Sequence, residues 1–287
     1  MLELTYTNAN GQSITITDKE PYMLRSLTGT GANVTDVQMQ TAPFQDGATW
    51  VDTVLQPRPI SIEITVFADS QEQLFIRRRM LSKVFNPKLG PGKLKYDYPG
   101  GSKVLEATVD EAPVFPMGDN NFGVGFQRAL IELIAPLPFW LDPDETLLWL
   151  SGTTGGLSFP MRFPLKFAQI IGEADAHNLG DVETPVLIEF FGPATKPRID
   201  NLRTGQFIEV NRVLLPGEKL VISTRFGNKF VKLINSDGVE SNAMHYINLQ
   251  SEFWSLLPGR NKVKFTAVEN QQEAIASVRW KNRYLGV

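Results

Sequence analysis

Apolar side chains alternate with polar ones along most of the chain, and this period of two limits the fold more than any other feature. Successive side chains of a β-strand point to opposite faces, so the alternation is typical of strands with one buried face. The clearest case is residues 60–67, whose alternating apolar positions are Ile60, Ile62, Ile64 and Val66. We predict a strand there, beginning after Pro57-Arg58-Pro59, because proline cannot donate to a β-ladder.

The chain opens with the same alternation and continues with short strand-like segments separated by Gly, Pro or Asn. A hairpin is predicted over residues 2–16, because Asn10-Gly11 at their centre can adopt the positive φ of a tight turn. Further strands are predicted at 93–98, 103–110, 126–134, 185–191, 219–223, 229–234, 262–267 and 276–280. This spacing predicts a mainly β protein, with a β-sandwich or jelly roll in its second half.

One segment shows a helical period. Apolar residues recur at helical spacing between residues 74 and 85. Ser70 with Gln73 three residues later resembles a capping box, and Asn86-Pro87 is a stop signal. We therefore predict a single α-helix over about residues 70–85, in the N-terminal domain.

Proline is dense between residues 136 and 143, a segment that neither one strand nor one helix can absorb. We place a domain boundary there and predict an N-terminal domain at 1–140 and a C-terminal domain at 141–287. Residues 1–140 carry 12 basic and 15 acidic side chains, whereas residues 141–287 carry 16 of each. Neither half has the basic excess of a protein that grips nucleic-acid phosphates.

The composition offers few reactive groups. The chain has no cysteine and only two histidines, His177 and His245, which excludes thiol chemistry and Cys-ligated metal sites. Asp175 and His177 could form a metal pair, but a plain loop is favoured because no third ligand follows at a recognisable spacing. We predict that His245, in a probable strand, is packed or at the surface. No enzyme activity, cofactor or metal site is expected.

Three further patterns concern location and surface. The opening Met-Leu-Glu-Leu-Thr-Tyr lacks the cationic and apolar regions of a secretory signal, so none is expected. Glycine and proline interrupt the uncharged stretch at residues 146–161, so we expect no membrane insertion. Trp254 and Trp280 are expected in the core, whereas Trp149 is the candidate for stacking on a saccharide.

Several motifs, in order along nearly the whole chain, resemble the distal tail protein (Dit) family of long-tailed, non-contractile bacteriophages. In the first half they are Gln56-Pro-Arg58-Pro-Ile-Ser-Ile62, Arg77-Arg78-Arg79-Met-Leu-Ser-Lys-Val-Phe-Asn86-Pro87, Gly92-Lys-Leu94-Lys-Tyr96 and Pro136-Leu-Pro-Phe139-Trp140. In the second half they are Asn178-Leu-Gly180-Asp-Val-Glu-Thr184-Pro185, Leu215-Pro-Gly217-Glu-Lys-Leu-Val-Ile222, Leu257-Pro-Gly259-Arg-Asn261-Lys-Val263 and the closing Val278-Arg-Trp280-Lys-Asn-Arg-Tyr284-Leu-Gly-Val287.

The resemblance implies a structural hub at the distal tip of the virion tail, assembled in the host cytoplasm. It implies an N-terminal domain with a β-sandwich, a helix and a projecting hairpin that forms a hexameric ring, and a galectin-like C-terminal β-sandwich. Such a ring joins the tail tube protein to tail-associated baseplate proteins, and some members also anchor a receptor-binding protein. Its channel lets DNA pass without specific binding. The alternative is a carbohydrate-binding module that attaches to a host cell-wall saccharide through the C-terminal domain.

Residues 33–55 are the candidate for the projecting hairpin or for a subunit-contact arm. Within them, Phe44 and Trp50 are candidate ring contacts, with burial inside one domain as an equal alternative. Arg77 and Arg78 on the predicted helix are candidate ring contacts as well. Three consecutive arginines spread around a helix, which favours a solvated or subunit-contacting face over a phosphate site.

Overall fold

The computed structural model describes residues 2–31, 33–151, 172–268 and 274–287. The chain forms two compact units, the first of Met1–Pro143 with Tyr284–Val287 and the second of Asp144–Arg283. The predicted boundary after residue 140 lies close to this division. The last four residues, however, belong to the first unit rather than to the second.

The first unit consists mainly of β-strands and contains one α-helix. Its strands are β1 (Glu3–Thr7), β2 (Ser13–Ile16), β3 (Tyr22–Thr28), β4 (Thr35–Gln40), β5 (Thr49–Leu55), β6 (Arg58–Phe67), β7 (Gly92–Tyr98), β8 (Gly101–Val114), β9 (Phe126–Ala135) and β10 (Trp140–Leu141). The helix is α1 (Gln71–Val84), and a 3-10 turn follows at Pro87–Leu89.

An antiparallel sheet in the order β2-β1-β7-β8-β9-β6-β3 forms the frame of the first unit. One parallel bridge between Thr17 and Met23 joins its two edges without closing a barrel. Along β6 the predicted alternation appears as buried isoleucines on one face. Leu74, Leu81 and Val84 of α1 are buried in the same core. Helix and sheet therefore share one apolar layer.

The predicted helix boundaries are confirmed to within a residue at each end, with Ser70 as the N-cap. The Ser70 hydroxyl accepts a hydrogen bond from the Gln73 amide (3.2 Å), and the Gln73 side chain accepts one from the Asp69 amide (3.0 Å). In a capping box the second bond goes to the N-cap residue itself, so this arrangement is shifted by one residue.

The second unit is built almost wholly from short strands. They are β11 (Thr146–Ser151), β12 (Glu173–Asn178), β13 (Thr184–Pro185), β14 (Leu187–Phe191), β15 (Ala194–Thr195), β16 (Arg198–Asn201), β17 (Gln206–Glu209), β18 (Val213–Leu214), β19 (Lys219–Ser223), β20 (Phe230–Ile234), β21 (Glu240–Asn242), β22 (Ser255–Leu256), β23 (Gly259–Thr266) and β24 (Ile275–Trp280). A 3-10 turn lies at Met244–Tyr246. The last strand of the chain, β25 (Arg283–Tyr284), pairs with β10 and so belongs to the first unit's sheet.

Two antiparallel sheets enclose the core of the second unit. One has the order β11-β24-β14-β19-β20-β21 and the other the order β12-β23-β16-β17. Phe190 of the first sheet stacks on Phe265 of the second, with ring centroids 5.7 Å apart. Trp254 and Trp280 are buried in this core, as predicted. The predicted mainly β fold with one α-helix is thereby confirmed for the described residues.

Three local predictions are wrong. Strand β6 begins at Arg58 and includes Pro59, which pairs with β9 where β3 does not extend beside it. His177 lies in strand β12 rather than in a loop, because Ala174 and Ala176 supply the inward-facing side of that strand. His245 lies in a 3-10 turn rather than in a strand, and the Asn242 side chain accepts a hydrogen bond from the first amide of that turn (2.9 Å).

Within the described residues, no helix is long and apolar enough to cross a membrane. Most of the uncharged stretch at residues 146–161 lies outside the described residues.

Candidate assembly surfaces

Strands β4 and β5 form a hairpin that pairs with no other strand in the described part of the chain. The register runs from Thr35 opposite Leu55 to Gln40 opposite Thr49, with a bulge between Gln38 and Met39. Both strands are exposed along their length, apart from half-buried Leu55. Because a two-stranded hairpin alone is marginally stable in water, this one gains stability from any surface on which it can lie.

The hairpin has one apolar face and one polar face. Met39 lies opposite Trp50, and Val37 is two residues earlier on the same face. These three side chains are exposed to 63%, 62% and 45%. The other face carries Asp36, Gln38 and Asp52, together with Val54, which lies opposite Asp36 and is 41% exposed. Apolar area of this kind, left open to water, is characteristic of a protein-binding surface.

The hairpin tip presents Phe44 to solvent. Phe44 is fully exposed and has a φ of 66°, which is uncommon for a residue with a side chain. Gln45 braces the turn: its side-chain oxygen accepts from the Ala42 amide (3.0 Å), and its side-chain nitrogen donates to the Thr49 hydroxyl (3.1 Å). The alternative of burial within one domain is therefore wrong for both Phe44 and Trp50. Their role as ring contacts stays a prediction.

Helix α1 carries a second exposed apolar patch. Phe75, Ile76 and Met80 are exposed to 49%, 62% and 49%. Beside them the Arg78 guanidinium lies over the Phe75 ring and over the Phe115 ring, at 4.8 Å and 4.5 Å from their centroids.

The arginines of α1 divide into two kinds. Arg77 donates to the Phe67 carbonyl and is half-buried, as is Arg78. Both predicted ring-contact arginines thus have contacts within their own unit. Arg79, which is exposed, is not among the predicted contacts.

Arg58 organises the root of the hairpin. Its side chain is completely buried and donates to the carbonyls of Pro138 (2.7 Å), Gly29 (2.7 Å), Gly31 (3.2 Å) and Leu285 (2.5 Å). Burial lowers the pKa of this guanidinium from its ordinary value. One side chain therefore ties the loop before the hairpin to the chain's last residues.

Gly29 is required at this root by its backbone. Its φ is 90°, and a Cβ there would lie 2.3 Å from the Pro59 carbonyl oxygen. The Val287 amide donates to the Thr30 carbonyl (3.0 Å), so the tail is held a second time at the same loop.

The outer face of the six-stranded sheet carries a buried carboxylate. Only 4% of the Glu189 side chain is exposed, and it accepts hydrogen bonds from Lys219 (2.9 Å), from Ser277 (3.2 Å) and from Arg279. Burial alone would raise the pKa of Glu189, but the hydrogen bonds and charges of Lys219 and Arg279 outweigh burial and lower this pKa. The carboxylate is therefore held ionised between two cations.

Trp149 lies on the same outer face. It is 38% exposed, and its ring centroid is 5.6 Å from that of Phe191. Stacking on a saccharide by Trp149 stays a prediction.

The predicted alternative of a metal pair at Asp175 and His177 gains no support from the geometry. Asp175 pairs with Arg260 at 2.6 Å, and this hydrogen bond lowers the pKa of Asp175. In the parts of the chain described, no three His, Cys, Asp or Glu side chains gather as a metal site would require. The charged outer face of β12 and β23 is thus occupied by ion pairs among its own residues.

Two family models match the sequence. A phage tail protein RIFT-related domain matches residues 9–135, and the C-terminal domain of a siphovirus-type tail component matches residues 179–284. The chain belongs to the siphophage distal tail protein family. It is a structural component of the phage tail, and the matches cover most of both units. No curated protein sequence matches this family member.

Solved structures show the same fold for this distal tail protein. The Dit protein (gp 19.1) of phage SPP1, described as a paradigm of the hub adsorption apparatus in phages infecting Gram-positive bacteria, has a TM-score of 0.69 at 15% identity, over 98% of this chain and 99% of its own. Two structures of the phage P2 baseplate in its activated conformation, with Ca and with Sr, each have a TM-score of 0.57 at 9% identity over 100% of both chains.

Proposed function

We propose that this distal tail protein forms a hexameric ring at the end of the tail tube through its first unit. The ring connects the tube to tail-associated baseplate proteins or a receptor-binding protein and leaves a channel for DNA. It assembles in the host cytoplasm before joining the virion. The observation that carries the proposal is the pair of uncovered apolar patches on the first unit, on the hairpin and on α1.

A ring needs two different patches on each copy, because a head-to-tail contact repeated about a rotation axis closes only when each copy offers both halves. The hairpin and α1 supply two such patches. The net charge supports passage of DNA, since 12 basic against 15 acidic side chains in residues 1–140 leave no excess to hold phosphates.

Replacing Phe44 and Trp50 together with alanine is expected to convert hexamers into monomers. Exposed aromatics that become buried at an interface commonly contribute about 2 kcal/mol each. Losing both would weaken each contact by about 4 kcal/mol, which is roughly a thousandfold. Light scattering of the full chain measures the change. Phe226 and Leu249, exposed in the second unit, provide the matched control as a double alanine variant that keeps the hexamer.

Hexamers of wild-type mass in the Phe44→Ala, Trp50→Ala variant would contradict the assignment of the ring contact to the hairpin. Because both side chains are exposed, the substitutions should leave the unfolding of the first unit unchanged. Unchanged unfolding would show that the variant loses assembly and not its fold.

A further inference from the structure

The hairpin and the helix patch are complementary in charge as well as in apolar character. Residues 33–56 contain three acidic side chains, Asp36, Asp46 and Asp52, and no lysine or arginine. Helix α1 contains Arg77, Arg78, Arg79 and Lys83 against a single acidic residue, Glu72. Of the basic residues, Arg79 and Lys83 are exposed. An acidic apolar ribbon and a basic apolar helix attract one another, whereas two copies of the ribbon repel.

The hairpin and helix α1, which carry the two patches, are connected to opposite ends of strand β6. The hairpin's second strand ends at Leu55, just before β6 begins at Arg58, and α1 begins at Gln71, just after β6 ends at Phe67. A ten-residue strand is about 33 Å long. Phe75 is near the Phe67 end, since its ring meets that of Phe122, whose backbone bridges to Gln127 beside the start of β9. Within one copy the apolar side chains of both patches remain uncovered.

We propose that the apolar face of the hairpin lies on α1 of the adjacent copy in the ring. Met39 and Trp50 then cover Phe75, Ile76 and Met80. Asp36 and Asp52 lie on the opposite face of the hairpin, so their negative charge attracts Arg79 and Lys83 of that helix at long range rather than by contact. This contact depends on the proposed ring and identifies the two surfaces that meet between adjacent copies. Because each copy gives one hairpin and receives one, the contact runs in a single direction around the axis.

Cysteine crosslinking tests the contact directly, because the chain contains no cysteine of its own. Met39→Cys places one thiol on the hairpin face, and Met80→Cys places one on α1. A short bismaleimide reagent should crosslink the full-length double variant into a ladder ending at six chains. The two single variants, mixed, should give crosslinked dimers only, and neither single variant should react with itself.

The matched control pairs Met39→Cys with Leu249→Cys, a fully exposed position in the second unit. Docking raises the effective concentration of one thiol at the other, so the Met39–Met80 product should exceed the control by about tenfold or more. Crosslinks of Met39→Cys with itself would show a hairpin-to-hairpin contact and overturn the proposal. Crosslinks of Met39→Cys to a cysteine placed on added tail tube or baseplate protein, in place of the Met39–Met80 product, would assign the hairpin to that protein instead.

The measurements distinguish failure of the proposed hexameric ring from failure of the hairpin-to-helix contact. Hexamers of the unmodified chain without a Met39–Met80 product above control would leave the ring and refute the hairpin-to-helix contact. Mixed dimers from a chain that never forms hexamers would keep the contact and refute the six-membered ring. Absence of both would contradict both.

Discussion

Arg58→Leu is expected to destabilise the first unit by about 4 kcal/mol. The substitution removes a buried cation whose hydrogen bonds satisfy carbonyls of the hairpin root, of Pro138 and of Leu285. Leucine fills part of the space but donates nothing, so those buried oxygens lose their partners. The root of the hairpin and the C-terminal tail should loosen together.

Hydrogen exchange of the full chain, read by peptide mass, separates the two units. Peptides from β6 and β9 should lose protection in Arg58→Leu, while those from β14 and β19 should keep it. The control is Arg128→Leu, an exposed arginine on β9, expected to change stability by less than about 0.5 kcal/mol. Faster release of Val287 by carboxypeptidase would report the loosened tail. Equal protection in both variants would show that Arg58 does not hold this root.

Glu189→Gln is expected to destabilise the second unit by about 3 kcal/mol at neutral pH. The carboxylate is buried between Lys219 and Arg279, and glutamine would leave both cations without their counter-charge. Peptides from β14, β19 and β24 should exchange faster. Glu240→Gln is the control, since its pair with Lys232 is about half exposed and should contribute less than about 1 kcal/mol.

The effect of Glu189→Gln should depend on pH with a defined sign. The folded state holds the pKa of Glu189 below its ordinary value of 4.5, so its contribution is fully present above about pH 4.5. It is lost as pH falls through the lowered folded-state pKa. The difference in unfolding free energy between wild type and Glu189→Gln should therefore be constant from pH 7 to about pH 4.5 and shrink as pH falls further toward 3. A constant difference would show that packing, not charge, stabilises this site.

Sequence reasoning predicts those elements whose signals are local. The alternating isoleucines predict β6, and Ser70 with Asn86-Pro87 predicts both ends of α1. Both elements lie where these signals place them, although β6 begins two residues earlier than predicted. Strand β12 was missed because its inward positions are Ala174 and Ala176, which give a weak apolar alternation. Its stability comes instead from pairing with β23, whose residues are distant in the sequence.

The same distinction applies to the assembly surfaces. The hairpin and its exposed Phe44 and Trp50 could be singled out from residues 33–55, because turn signals and aromatics are adjacent there. Arg58 and Glu189 could not be singled out in this way, because their hydrogen-bond partners are distant in the sequence. Arg58 donates to Gly29, Pro138 and Leu285. Glu189 accepts from Ser277 and Arg279. By contrast, the helical period does separate buried Leu74, which shares a face with Leu81 and Val84, from exposed Ile76 two residues later.

The ring is tested most directly by imaging the purified full-length protein by negative-stain electron microscopy, with its mass measured in the same buffer. Six-fold rings with a central opening, at six times the 32.1 kDa chain mass, are the expected result. A chain that remains monomeric at its highest soluble concentration, or particles of another symmetry, would contradict the proposed hexameric hub.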